Sequence, residues 1–399
     1  MSRKPAASPT ETDPAPRRFR LKLIGVGGAG GNCIQQIASA ADALHGVEWL
    51  AVNTDLQALE AIVGADKLQI GATVTRGLGA GGDPDIGAAA AQQDIEQLKA
   101  AVQHADVIFL AAGLGGGTGT GASPILAKLA KEQGALVLAF VALPFSFEGA
   151  RRRQQAEAGL AELRAHADVV ICIPNDRLTR IVGENAPVTE AFQRGNEIVA
   201  SGVRAIWQLL SRKGLINLDF AALRSTLGGR HGEGVFSHAE AGGLDRLREV
   251  AKLLMDNPLF EGNDTLARAD GVLVSILGGP DLTLADVQRV VEPVSRVAQR
   301  AHLIMGAAID ETYTNRLAVT VIAANNAVSK RVAPGTAIRA PARPTPVAAE
   351  PPPVKPSQPQ QVPLPLEGVT RGKFGGGEPT IYEGEDLDYP TFLRRGIKL

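Results

Sequence analysis

The sequence predicts an α/β chain in which a parallel-sheet domain is joined by one long helix to a smaller α/β domain. Short apolar runs rich in Val, Ile and Leu, at 21–26, 49–52, 107–111, 135–143 and 169–173, alternate with Ala-rich helical stretches. These runs are apolar throughout rather than at every second residue, as befits parallel strands covered on both faces. A proline-free stretch at 188–211 keeps an apolar stripe (Ile198, Val203, Ile206, Leu209, Leu210) that predicts a long amphipathic helix.

The elements follow in order. Residues 1–20 are rich in Pro, Ser and Thr and are expected to be a disordered tail. Helical stretches at 31–41, 86–102, 124–133 and 152–166 separate the strands of the first domain, which spans 21–187. The long helix occupies 188–212, and the smaller domain spans 213–332, with strands at 271–277 and 317–323 and a helix at 283–300 between them. Residues 333–378 turn to Pro, Ala, Gln and Gly and read as a linker with no core to build. The end, 379–399, regains Leu, Tyr and Phe anchors between acidic and basic residues, as a short recognition peptide that folds on a partner would.

Composition narrows the function. The chain of 399 residues is 45% hydrophobic but only 4% aromatic, so its cores must be built from aliphatic side chains. Lys+Arg 41 against Asp+Glu 42 leaves no global basic field, so neither nucleic acid nor an anionic membrane is the expected partner. The longest apolar run, 135–145, is too short for a bilayer, which takes ~20 residues, and the first twenty residues, with Pro and Arg but no apolar core, are not expected to be a secretory signal. Cys33 and Cys172 lie in apolar runs without metal-ligand spacing and read as reduced core residues of a cytoplasmic protein.

Two glycine-rich segments carry the chemistry. Gly25-Val-Gly-Gly-Ala-Gly-Gly-Asn32 and Gly115-Gly-Gly-Thr-Gly-Thr-Gly121 each follow a predicted strand and open a helix. Free backbone N–H groups and the positive end of a helix dipole favour phosphate at such a turn. Glycine lets the backbone approach the phosphate oxygens, and Thr118 and Thr120 add hydroxyls. Alone, Gly25-x-Gly27-x-x-Gly30 also fits a dinucleotide fingerprint, or a flexible turn. A nicotinamide enzyme has little use for the second loop, however, and no Gly-Lys-Ser/Thr of a P-loop is present.

The second loop resembles the signature of the FtsZ family, bacterial tubulin homologues of cell division. Asn53-Thr-Asp55, Thr75-Arg-Gly-Leu-Gly-Ala-Gly81, Pro144-Phe-Ser-Phe-Glu-Gly149, Ile173-Pro-Asn-Asp176 and Gly214-Leu-Ile-Asn-Leu-Asp-Phe220 follow the family's order, from about 21 to 324. The tail Asp386-Leu-Asp-Tyr-Pro-Thr-Phe-Leu-Arg-Arg395 is similar to the family's C-terminal peptide. The resemblance implies a tubulin/FtsZ-like fold with 21–187 as the GTP-binding domain and GTP/GDP with Mg2+ as cofactors. It implies head-to-tail filaments, and docking of 385–395 on membrane tethers and division proteins such as FtsA. No nucleic acid and no direct membrane insertion are implied, and the protein is expected in the cytoplasm at the midcell division ring.

The same resemblance assigns residues. Gly28, Ala29, Gly30, Gly31 and Asn32, with Gly115, Gly116, Gly117, Thr118, Gly119, Thr120 and Gly121, would hold the phosphates. Gly79, Ala80 and Gly81 would close over the terminal one. Glu148 would meet the ribose, Arg152 the phosphates and sugar, Phe192 would stack on guanine and Asn196 would read its edge, with Asn53 and Asn175 completing the pocket. Without it, Arg152 reads as a solvated helix face, Phe192 as core and Asn196 as an ordinary polar position.

Hydrolysis in the family uses the loop after the central helix, inserted into the next subunit's pocket, with the pattern Asn-x-Asp-x-x-Asp/Glu. Asn217 and Asp219 are in place, but the third position is Ala222. A methyl group neither accepts a proton nor positions water, so slow hydrolysis is expected unless the change is compensated elsewhere. A weakly hydrolysing or non-hydrolysing paralogue that co-assembles as a structural partner is the alternative. The segment 227–240 also departs from the family pattern, and its His231 and His238 read as surface histidines because no third ligand lies nearby.

Overall fold

Parallel strands need crossovers, and the helices between the apolar runs supply them. The computed structural model describes residues 19–38, 44, 46–183, 185–211, 215–216, 218–229, 232–260, 266–325, 381–382 and 385–386. β1 (Leu21–Val26), β2 (Val47–Asn53), β3 (Asp66–Gln69), β4 (Val107–Gly113), β5 (Leu136–Leu143) and β6 (Val169–Pro174) pair in parallel in the order β3-β2-β1-β4-β5-β6. The order reverses between β1 and β4, and a crevice opens at the carboxyl ends of strands at such a point.

Helices cover both faces. α1 (Gly27–Ala38), together with α8 (Asn175–Val182) and the long α9 (Val188–Ser211), packs on one face. The stretch expected as one helix at 86–102 is instead α4 (Pro84–Gln93) and α5 (Ile95–Val102), which pack on the other face with α6 (Thr118–Glu132) and α7 (Ala150–His166). The break falls at Asp94, whose Oδ2 accepts from the Gly71 N–H at 2.6 Å. This is a tertiary bond, and neither Pro nor Gly marks it in the sequence. The short α2 (Leu56–Glu60) and α3 (Ala72–Thr75) lie in the connections flanking β3.

After α9 come α10 (Phe220–Leu227), β7 (Gly232–Gly242), α11 (Arg246–Met255), β8 (Gly271–Gly278), α12 (Leu284–Val297), β9 (His302–Ile309) and β10 (Arg316–Ala324). The strands of this second part join those of the first. β7 pairs in parallel with β6 and antiparallel with β10, so one ten-stranded sheet runs β3-β2-β1-β4-β5-β6-β7-β10-β8-β9. The joint is also closed by side chains. Phe109, Phe140 and Phe236 form a chain of rings with centroids 5.9 and 5.7 Å apart, and Ile198, Val203 and Ile206 of α9 belong to the same core. Gly202 permits this approach, since a Cβ there would come within 2.6 Å of the Phe140 ring.

Asp168 ties the halves a second time. It is buried, accepts from the Val137 and Gly229 N–H groups at 2.9 and 2.5 Å, and pairs with Lys131. Cys33 is buried and Cys172 half-buried, and both are free thiols. His238 corrects the expectation of a surface histidine. It is half-buried on β7 with Nδ1 2.8 Å from Thr320 Oγ1, and burial pushes its pKa down to about 4. His231 lies outside the described residues.

No helix among the described residues is long and apolar enough to cross a membrane. The second compact unit, from Gly335, contains an antiparallel ladder of β11 (Ile381–Tyr382) and β12 (Glu385–Asp386). The remainder of the expected recognition peptide is outside the described residues.

Candidate nucleotide-binding cleft

The crevice at the switch point is a cleft of about 600 Å³, within the range of small-molecule and cofactor sites. β1 leads into it through Gly27, Gly28, Ala29 and Asn32 at the start of α1, and β4 leads into it through Gly113, Leu114, Gly116 and Gly117. Thr118 and Gly119 begin α6 on the same wall. Two helix N-termini therefore face one space, a ready site for anionic groups.

Glycine has two distinct reasons in these loops. A Cβ added at Gly28 or Gly116 would meet nothing within 4 Å, so protein packing does not explain the residue, whereas a ligand against the backbone would; at Gly81 a φ of 59° itself calls for glycine. At Gly30 and Gly121 a Cβ would come within 2.3 Å of Ala111 O and 2.1 Å of Pro84 O. Those two serve close packing, and neither lines the cleft. Gly31, Gly115 and Thr120 also lie outside the lining. Thr120 Oγ1 accepts from the Gly115 N–H at 2.8 Å, so both members of that pair brace the loop. The Thr118 hydroxyl, expected as a phosphate donor, lies 2.7 Å from the Thr54 hydroxyl while still lining the cleft.

Asn53, Gly79, Ala80, Gly81, Glu148, Arg152, Asn175, Phe192 and Asn196 all line the same cleft. Glu148 and Arg152 are paired at 2.5 Å, and Glu148 Oε1 accepts from the Phe145 N–H at 2.8 Å. Phe192 and Phe145 meet edge-to-face at 5.9 Å, and Phe192 is 46% exposed. Asn175 is 6% exposed and its Oδ1 has no hydrogen-bond partner, an orphaned acceptor of the kind an occupant satisfies. Sequence reasoning did not assign Asp55, which lines the cleft and caps α2 by accepting from the Ala58 N–H at 3.0 Å. Its signal was present as the third member of Asn53-Thr-Asp55.

The residues expected to act in hydrolysis are elsewhere. α9 starts beside the cleft with Phe192, Gly195, Asn196 and Val199 and runs for 24 residues, about 36 Å, away from it. α10 follows at the other end, where Phe220 meets the Phe19 ring at 5.8 Å beside the start of β1. Asp219 caps α10 there, accepting from the Ala222 N–H at 2.6 Å, and its side chain is exposed. Asn217 lies outside the described residues. Ala222 is half-buried against the core. Asp219 therefore does not line the cleft of its own chain.

Residues 20–183 match the family model of the Tubulin/FtsZ family GTPase domain, and residues 232–326 match that of the FtsZ family C-terminal domain. An empty FtsZ dimer from M. jannaschii is 36% identical, with 77% of this chain and 89% of that chain covered at a TM-score of 0.71. A point mutant of the same M. jannaschii protein gives 36% identity, 77% and 92% coverage and a TM-score of 0.71. A GTPγS-bound protofilament of CetZ2 from Haloferax volcanii is 26% identical, with 76% and 92% coverage and a TM-score of 0.62. With both halves of the body matched in order and the glycine-lined cleft at the switch point of its sheet, the chain belongs to the FtsZ family of tubulin-like GTPases.

Proposed function

We propose that the chain binds GTP in this cleft and polymerises head to tail, with the α10 end of one copy inserted against the nucleotide of the next. The observation that carries the reading is the separation of the cleft and the Asp219 carboxylate to opposite ends of α9. A nucleotide held at one end reaches the Asp219 carboxylate only when a second copy supplies it. The phosphates would lie on Gly28, Ala29, Gly116, Gly117 and the first turn of α6, with Phe192 on the base. Mg2+ would travel with the triphosphate, whose charge it neutralises. Among the described residues no group of acids, histidines and cysteines forms a cage for it.

Hydrolysis is slow in this proposal because Ala222 replaces the third polar position of the loop. Asp219 keeps Oδ2 for the attacking water while Oδ1 caps the helix. A water-positioning carboxylate is typically worth ~10²–10⁴-fold. The protein would act at the division ring in the cytoplasm, tethered through 385–395 to proteins such as FtsA, with 333–378 as a flexible spacer. The second reading, a structural paralogue that co-assembles with a faster hydrolase, rests on the same Ala222.

GTP turnover measured against protein concentration, with sedimentation of the same samples, tests both. Assembly with GTP, little turnover in the wild type and a gain in Ala222→Asp above a critical concentration support the filament reading. Brisk wild-type turnover removes the case for slow hydrolysis and for the paralogue. Failure to bind GTP and to pellet overturns the proposal.

A further inference from the structure

A hydrogen-bond relay behind the cleft fixes which atom of Asn196 faces its occupant. The relay begins at a group of unambiguous polarity, the backbone carbonyl of Gln193, which can only accept. Gln36 Nε2 donates to it at 3.3 Å. That choice leaves Gln36 Oε1 as the atom presented to Asn196, and Asn196 Nδ2 donates to it at 2.7 Å. With Nδ2 committed, the atom of Asn196 left for the cleft it lines is Oδ1, an acceptor. Gln36 lies one helical turn beyond Asn32 on α1, so the relay bridges the first glycine helix and α9.

Asn175 contributes a second acceptor. Its side chain is buried, it lines the same cleft, and its Oδ1 has no partner. Two amide oxygens therefore wait for donors. The Watson–Crick edge of guanine offers N1–H and the N2 amino group, both donors, whereas adenine opposes an acceptor with the lone pair of N1. We infer that Gln36 is a positioning residue that sets guanine over adenine by holding the Asn196 amide with its oxygen outward. The inference rests on the nucleotide reading proposed above.

The test is equilibrium binding of GTP and ATP to the full chain, with a melting curve for every variant. Lys at position 36 offers donors only, so Gln36→Lys obliges Asn196 to turn Oδ1 inward and present Nδ2. GTP affinity should fall about 10- to 100-fold, with the GTP/ATP ratio shrinking alongside. Gln36→Glu keeps an acceptor toward Asn196 Nδ2 and should preserve the ratio, which keeps the inference testable if the lysine variant fails to fold. In an Asn196→Asp background either carboxylate oxygen accepts, so adding Gln36→Lys should cost no more than about 2-fold. A purely structural Gln36 would not show that rescue. An unchanged ratio in Gln36→Lys, a lost ratio in Gln36→Glu or an equal loss in the aspartate background overturns the positioning role and leaves GTP binding standing. A wild type that does not bind GTP overturns the nucleotide reading and this inference together.

Discussion

The two ends of α9 are built on opposite plans. At the cleft end, Phe192 and Asn196 share a wall with two glycine loops, two helix N-termini and the orphaned amide of Asn175. At the α10 end, the available carboxylate of Asp219 is already employed as a helix cap, and Ala222 beside it packs against the core. The first end is arranged around a cleft, the second around a helix cap and the core. The difference teaches that a retained binding site says little about the rate of the reaction, because the cleft and Asp219 lie toward opposite ends of a helix about 36 Å long.

Five substitutions can break or sharpen that contrast. The largest effect is expected within the glycine loops themselves. Gly121→Val should prevent folding, since even a Cβ would come within 2.1 Å of Pro84 O, and circular dichroism would show it. Gly116→Val meets open space instead, and should keep the melting temperature while weakening GTP binding by about 100-fold or more in a titration. Equal damage at both positions would erase the distinction between packing and cradle glycines.

Asp168→Ala is next. It strips a buried carboxylate from two backbone donors and Lys131, and should cost about 2–4 kcal/mol in chemical denaturation without changing the cleft residues. His238 gives a pH signature. Its folded pKa of about 4 lies below the ordinary value of 6.5 because the ring is buried, so the unfolded chain binds the extra proton first. Stability should be full above pH 6.5 and fall as pH drops toward 4, by no more than about 3 kcal/mol, and His238→Gln should flatten that slope in melting curves. The smallest change in stability is expected for Asp219→Ala. Losing the cap should cost about 1 kcal/mol, while residual turnover of assembled protein disappears and the isolated chain still binds GTP. Turnover that survives in Asp219→Ala would move the reacting acid elsewhere.

Much of the first half was legible because its code is local. The apolar runs fall on β1, β2, β4, β5 and β6, and the proline-free stripe coincides with α9. The second half was harder to read. β7 carries three glycines and a histidine, with little strand preference of its own, and is held by β6 and β10 on its two edges. The site divides likewise. Its glycine motifs could be found by spacing, but Gly28 and Gly121 look alike in a sequence and differ only in what surrounds them.

By itself, then, the sequence determined the alternation of strand and helix, the phosphate-type loops, the family and the missing acid at Ala222. Each of these depends on residue type at short range, where steric preference and hydrogen-bonding capacity are fixed by the side chain. The tertiary structure alone decided the single ten-stranded sheet, the break at Asp94, the burial of His238 and the Gln36–Asn196 relay. These depend on contacts between residues up to 160 positions apart. Polar groups at that separation acquire their partners, and so their direction, only once the hydrophobic core has brought the helices and strands together.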